Sequence, residues 1–274
     1  MSNITASDVN KLRKSTGAGI MDCKKALVEA NGDFDLAIEN LRKKGQKVAA
    51  KRADRDSSEG AVIAKVNDAN DTGIIISLNC ETDFVAKNES FVALANQIAT
   101  IALSVNTKDE LLSSDFDNMT VQEKLIEQTG VIGEKLEIGS FERISSAFVG
   151  SYIHAGNKIA TIVGLSNSFD GASEVAKNVS MQAAAMNPVA LDENGVSKDV
   201  IEKEIEIAKD QLRAEGKPEA MLDNIAKGKL KKFFKENTLV NQAFIKDNKL
   251  SVTDYVKSVN SECSITDFKR SALV

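Results

Sequence analysis

The chain reads as an α+β protein assembled from modules: a small three-helix bundle, two related strand-hairpin-plus-helix subdomains and an antiparallel helical hairpin. Three observations predict this. Apolar spacing is helical through the first 45 residues. It changes to β-branched runs around polar turns at 60–80 and again at 150–165. A strand-poor stretch at 197–237 is then split by EGKP into two long helical runs.

In chain order, Thr5 or Ser7 can cap a first helix carrying Val9 and Leu12, and TGAG breaks it. MDCKKALVEA follows, with Met21, Ala26 and Leu27 expected on its apolar face. Gly32 interrupts, Asp33 can cap a third helix, and Leu36, Ala37, Ile38 and Leu41 give that helix its apolar side before Gly45. Residues 46–59, QKVAAKRADRDSSE, read as a linker whose first half can be helical. GAVIAKVNDANDTGIIISLNC then sets two β-branched segments around an Asn/Asp/Gly turn, a hairpin signal, and NESFVALANQIATIAL supplies a helix to cover it. MTVQEKLIEQTG (119–130) is a short amphipathic helix, and VIGEKLEIGSFERISSAFV alternates as strands do. GSYIHAGNKIATIVGL repeats the strand, polar turn and strand, with ASEVAKNVSMQAAAM as its covering helix. Packing one such unit beside the other would cover both sheets. The tail offers one more helix at 253–259 and a final short strand.

Composition narrows the function. The 274 residues are 42% hydrophobic and 27% charged, which is ordinary for a folded protein and enough for a full core. Lys plus Arg number 35 against 40 Asp plus Glu, so the net charge of -5 opposes phosphate-backbone binding. KKGQKVAAKRADR (43–55) and KGKLKKFFK (227–235) are local basic runs, each readable as wet lysines beside an apolar helical face. Neither has the aromatic interleaving of a nucleic-acid reader, so no direct nucleic acid partner is expected. Cys23, Cys80 and Cys263 are odd in number and widely spaced, which fits a reducing compartment and no disulfide framework. MSNITASDVNKLRK carries no apolar signal segment and no window nears 18 apolar residues, so a cytoplasmic location without a membrane partner is expected.

Candidates for bond chemistry are few. His154 is the single histidine, flanked by Ile153 and Ala155 in an expected strand, which leaves little for a triad or a histidine-rich metal site. Glu81 and Asp83 lie two apart and in an extended segment would point the same way, as a pair for Mg²⁺ or acid–base work requires. Such pairs arise by chance among 40 acids, and no phosphate-cradling glycine motif accompanies this one. Cys80 reads as a packed thiol at a strand end. Phe84, just past that strand, either folds back as a core plug, the commoner fate of an aromatic, or stands out to enter a partner.

Two long stretches, LRKSTGAGIMDCKKAL at 12–27 and LNCETDFVAKNE at 78–89, resemble the signatures of the bacterial translation elongation factor Ts family. The order of GSYIHAGNKI, the hairpin around AEGKPEAM and GKLKKFF agrees along nearly the whole chain. The resemblance implies a guanine-nucleotide exchange factor for elongation factor Tu, without bond chemistry or cofactor of its own, that binds the GDP-bound and nucleotide-free partner. It divides the chain into a ubiquitin-associated-like module and linker (1–56), a first core subdomain bearing the TDFV loop (57–140) and a second (141–199, completed by 237–252). A helical hairpin (200–236), which can serve self-association or sit in a monomer, and a C-terminal module (253–274) complete it. It further implies that Thr82, Asp83, Phe84 and Val85 enter the partner's GTPase domain, with Phe84 between helices and Asp83 disturbing the Mg²⁺ network. Arg13, Ile20, Met21, Ile132, Gly133, Glu134 and His154 fall at matching docking positions. Ile20 replaces a second methionine at similar volume, and Ala155 lengthens the turn after His154. The alternative outside this class is a non-catalytic adaptor that binds a different partner through the N-terminal helices.

Overall fold

The computed structural model describes residues 4–273. The first helix, α1 (Ala6–Thr16), starts at Thr5, whose hydroxyl accepts from the Asp8 amide while the Asp8 carboxylate accepts from the Thr5 amide. This reciprocal box satisfies two amides that a helix start leaves open. α2 (Ile20–Glu29) and α3 (Phe34–Arg52) follow, and Val9, Leu12, Cys23, Ala26, Leu27 and Ala37 form their common core. Met21 is not on that face: it is 74% exposed, and Leu36 is also exposed, so the core is set by Cys23, Ala26 and Ala37 instead.

α3 also runs on past Gly45 to Arg52. The glycine does not end the helix; it lets another helix approach. A later helix, Val121–Ile132, crosses there, and a Cβ on its Gly130 would lie 2.5 Å from the Gly45 Cα. Gly130 leaves no room for a side chain without moving α3, and a Cβ on Gly45 would be tight, 3.2 Å from the Ile126 carbonyl oxygen.

Strands β1 (Glu59–Val66) and β2 (Thr72–Cys80) form the expected hairpin, in register Ile63 to Ile76. Then come α4 (Asp83–Ala86), α5 (Glu89–Ala102), α6 (Lys108–Ser113), the two-residue strands β3 (Asp115–Phe116) and β4 (Met119–Thr120), α7 (Val121–Ile132) and β5 (Glu137–Ser145). β5 pairs antiparallel with β2, giving a sheet ordered β1-β2-β5. The boundary expected at residue 140 therefore falls inside a strand. A second hairpin, β6 (Phe148–Ile153) and β7 (Ile159–Leu165), leads into α8 (Ala172–Met186). A 3-10 turn at Glu193–Gly195 precedes α9 (Lys198–Ala214) and α10 (Glu219–Asn237), which pack antiparallel on Leu212, Leu222 and their neighbours. A bridge between Ala190 and Thr238 closes the base of this helical hairpin. β8 (Ala243–Phe244), β9 (Asp247–Ser251), α11 (Val252–Val259) and β10 (Ile265–Ala272) end the described chain. β10 joins β7, so the second sheet is ordered β10-β7-β6 and the final segment is part of it rather than a module apart.

The two sheets share a plan. In each, the second strand of a hairpin is central and a later strand, arriving after helices, adds antiparallel to its free edge. Side chains alternate between sheet faces along a strand. Ile74, Ile76 and Leu78 meet Phe91, Ala95 and Ile98 of α5, whereas Ile75, Val62 and Ala64 meet Val149, Ala160 and Ile162 of the other sheet. Val163 and Leu165 turn the opposite way, onto Val175 and Val179 of α8. The result is four layers, helix, sheet, sheet and helix, which explains why both central strands are buried at nearly every position.

Candidate functional site

β2 ends in Cys80, which is buried and donates its thiol to the Thr82 carbonyl at 3.2 Å. Burial, with the Glu134 carboxylate adding to it, pushes this thiol up to about 12, which favours the protonated, packed form. Thr82 then caps α4: its hydroxyl accepts from the Val85 amide at 3.4 Å. On this single turn Ala86 is buried and Val85 packs half-buried on the first core, so the next residue round the helix must face outward. That residue is Phe84, 83% exposed. The core-plug alternative is thereby excluded. Asn88 starts α5 at once by capping the Ser90 amide at 2.9 Å, so the turn is clamped between two caps.

Asp83 faces outward with Phe84. Its carboxylate accepts from Lys87 at 2.6 Å, and that hydrogen bond is the main reason its pKa lies below the ordinary aspartate value. Glu81 points elsewhere. Both its oxygens accept from Arg52, at 2.7 and 2.8 Å, and one also accepts from the Lys135 amide at 2.7 Å. Burial alone would raise this carboxyl, but the Lys135 amide and the Arg52 guanidinium outweigh it and hold Glu81 below its ordinary value. Glu81 and Asp83 thus have separate cationic partners, and the paired-carboxylate arrangement weighed from the sequence does not form.

Glu134 reaches the same loop from α7. One oxygen accepts from the Glu81 and Thr82 amides at 3.1 and 3.0 Å, and the other accepts from the Thr82 hydroxyl at 2.6 Å. Its placement depends on Gly133, which ends α7 at φ 82, a left-handed conformation. A Cβ there would meet nothing within 4 Å, so conformation and not space requires the glycine. Ile132 is half-buried against the first core. Glu134, expected from the sequence as a docking residue, spends its carboxylate inside the chain.

The remaining expected residues lie on other elements. Arg13 is exposed in the last turn of α1, and Ile20 and Met21 are exposed at the start of α2, at 51% and 74%. His154 sits just after β6 rather than within a strand, exposed, with its Nδ1 3.0 Å from the Tyr152 hydroxyl. Sequence reasoning missed Arg52 and Lys135 as parts of the site. Their signal was weak, since a basic residue ending a helix already has a local explanation. Among the described residues, no group of three or more His, Cys, Asp or Glu is placed to hold a metal ion, and no helix is long and apolar enough to cross a membrane.

The site thus presents an aromatic outward on a braced turn, apart from an exposed apolar pair on the small helical bundle. The family described as Elongation factor TS matches residues 81–273. Over 273 residues, and all of both chains, the sequence is 69% identical to Elongation factor Ts of Christiangramia forsetii and 67% identical to that of Flavobacterium psychrophilum. It is 53% identical to Elongation factor Ts of Amoebophilus asiaticus over 97% of this chain and 98% of the relative. The chain belongs to the elongation factor Ts family, a family of translation elongation factors.

Proposed function

We propose that this protein is a guanine-nucleotide exchange factor for elongation factor Tu, and that Phe84 is its wedge. The single observation that carries the reading is the 83% exposure of Phe84 on a turn braced on both sides. A large apolar side chain kept in water by built structure has its burial free energy still to gain, of order 1.5–3 kcal/mol on entering a partner.

An exchange factor must bind the nucleotide-free partner more tightly than the nucleotide-bound one, and linkage then makes factor and nucleotide weaken each other. A 10³-fold antagonism corresponds to about 4 kcal/mol. Insertion of Phe84 between helices of the GTPase domain supplies part of this. Asp83, an outward carboxylate beside Phe84, supplies the rest by competing for groups that support the partner's Mg²⁺ and phosphates. To do so it exchanges its exposed pairing with Lys87 for contacts on the partner, a small sacrifice because surface ion pairs contribute little. Thr82 and Val85 hold the turn. Arg13, Ile20 and Met21 grip the partner at a second surface, with Ile132, Gly133 and His154 as further contacts.

The test is release of a fluorescent GDP from elongation factor Tu over a concentration series of wild type and Phe84→Ala. Accelerated release by wild type with a depressed plateau for the variant is the expected result. No acceleration by wild type refutes the exchange reading, and an unchanged plateau for the variant refutes the wedge.

A further inference from the structure

α4 has four residues, too short for a helix to hold its own shape in water. Its orientation is set from outside, at the two residues that precede it. Glu134 takes the amides of Glu81 and Thr82 and the Thr82 hydroxyl. Arg52 takes both oxygens of the Glu81 carboxylate. These two anchors end two helices that are themselves locked together. Arg52 is the last residue of α3, and Glu134 follows the glycine cap of α7. The helices cross at Gly45 and Gly130, where the backbones leave no room for a side chain. The path closes on itself: from the crossing along α3 to Arg52, through Glu81 and Thr82 to Glu134, and back along α7. A closed path of packed helices and charge-assisted hydrogen bonds resists bending as no single contact can.

We propose that Glu134 and Arg52 are positioning residues for the wedge. Glu134 fixes where α4 begins, and Arg52, acting through Glu81, ties that start to the α3/α7 pair. Because α3 is also a wall of the N-terminal bundle that carries Ile20 and Met21 on α2, gripping surface and wedge move as one body. Neither residue touches the partner's nucleotide. Their role is to spend the ordering of Phe84 before binding rather than during it. The proposal deepens the exchange reading and rests on it.

The experiment has two readouts on the full-length chain. The first needs no partner: amide hydrogen exchange at Glu81, Thr82 and Phe84 in wild type, Glu134→Ala, Glu134→Gln and Arg52→Met. Loss of a charged acceptor should speed exchange at the Glu81 and Thr82 amides about tenfold or more in Glu134→Ala. Glu134→Gln, which keeps an acceptor oxygen, should recover part of the protection. The second is fluorescent GDP release from elongation factor Tu, in which Glu134→Ala and Arg52→Met should lower the plateau several-fold. Glu123→Ala serves as the structural control, since it removes the capping box at the far end of α7 and should leave the plateau unchanged. Unaltered amide exchange at Glu81 and Thr82 in Glu134→Ala overturns the proposal. So does a wild-type plateau in both anchor variants while Phe84→Ala lowers it, or an equal fall in Glu123→Ala. If Phe84→Ala itself leaves the plateau unchanged, the wedge reading fails, and the amide readout still decides whether the anchors hold the loop.

Discussion

At Phe84 two physical demands conflict. An aromatic gains free energy by leaving water, yet the cap at Thr82 and the inward packing of Val85 and Ala86 leave it nowhere to go within its own chain. Removing it should therefore be harmless to folding. Phe84→Ala is expected to change stability by less than about 0.5 kcal/mol, read as the urea midpoint. The same change should lower the GDP-release plateau about 10- to 100-fold, the equivalent of the burial free energy forgone. Glu81 supplies a pH dependence of opposite origin. Its folded carboxyl lies below the ordinary value of 4.5, so the unfolded chain binds its proton first as pH falls. The stability it contributes is fully present above pH 4.5 and is lost as pH drops through its lower folded value. Wild type should thus lose stability more steeply than Glu81→Gln on acidification below pH 4.5, measured by urea unfolding at a series of pH values.

At the scale of elements, the crossing of α3 and α7 is the joint on which the site depends. A glycine inside a helix is unfavourable by about 1 kcal/mol relative to alanine, which is why Gly45 reads from sequence as a stop. The helix nevertheless continues to Arg52, and at Gly45 it approaches Gly130 closely enough that a Cβ on Gly130 would lie 2.5 Å from the Gly45 Cα. Gly130→Ala should therefore destabilise the protein by about 1–3 kcal/mol through overpacking. Chemical denaturation measures it, with amide exchange in residues 81–84 expected to rise as the two helix ends separate.

Across the whole molecule, the exposed apolar residues proposed as grip and wedge lie on separate modules. α2 presents Ile20 and Met21 from the N-terminal bundle, and Phe84 lies just past the end of β2, the central strand of the first sheet. Contacts that bind ground and activated complexes alike change the concentration needed, whereas contacts made only in the strained complex change the maximal rate. Met21→Ala should raise the concentration of factor that gives half-maximal GDP release and leave its plateau near wild type. Phe84→Ala should do the reverse. The full concentration dependence of release separates the two, and equal changes in both parameters for both variants would refute the division.

Local chemistry was legible in the amino-acid sequence. The caps at Thr5 and Asp33, the two hairpins with their covering helices, the EGKP break and the α+β class all follow from spacing and turn residues, which act over a few positions. The TDFV stretch stood out as a site only through its resemblance to the elongation factor Ts signature, and not through spacing or turn residues. Whether Phe84 faces inward or outward did not follow, because that depends on where Val85 and Ala86 find a core. Tertiary structure alone decided that Met21 is exposed, that α3 passes through Gly45, that Glu134 turns inward, and that β5 and β10 complete the two sheets. The course of α3 and the setting of the site loop rest on partners distant in sequence: Gly130 for Gly45, Glu134 for Thr82, and Arg52 for Glu81. Periodicity and propensity describe a residue and its near neighbours, whereas the turn that carries Phe84 is held by Arg52 and Glu134, brought to it by two helices that cross.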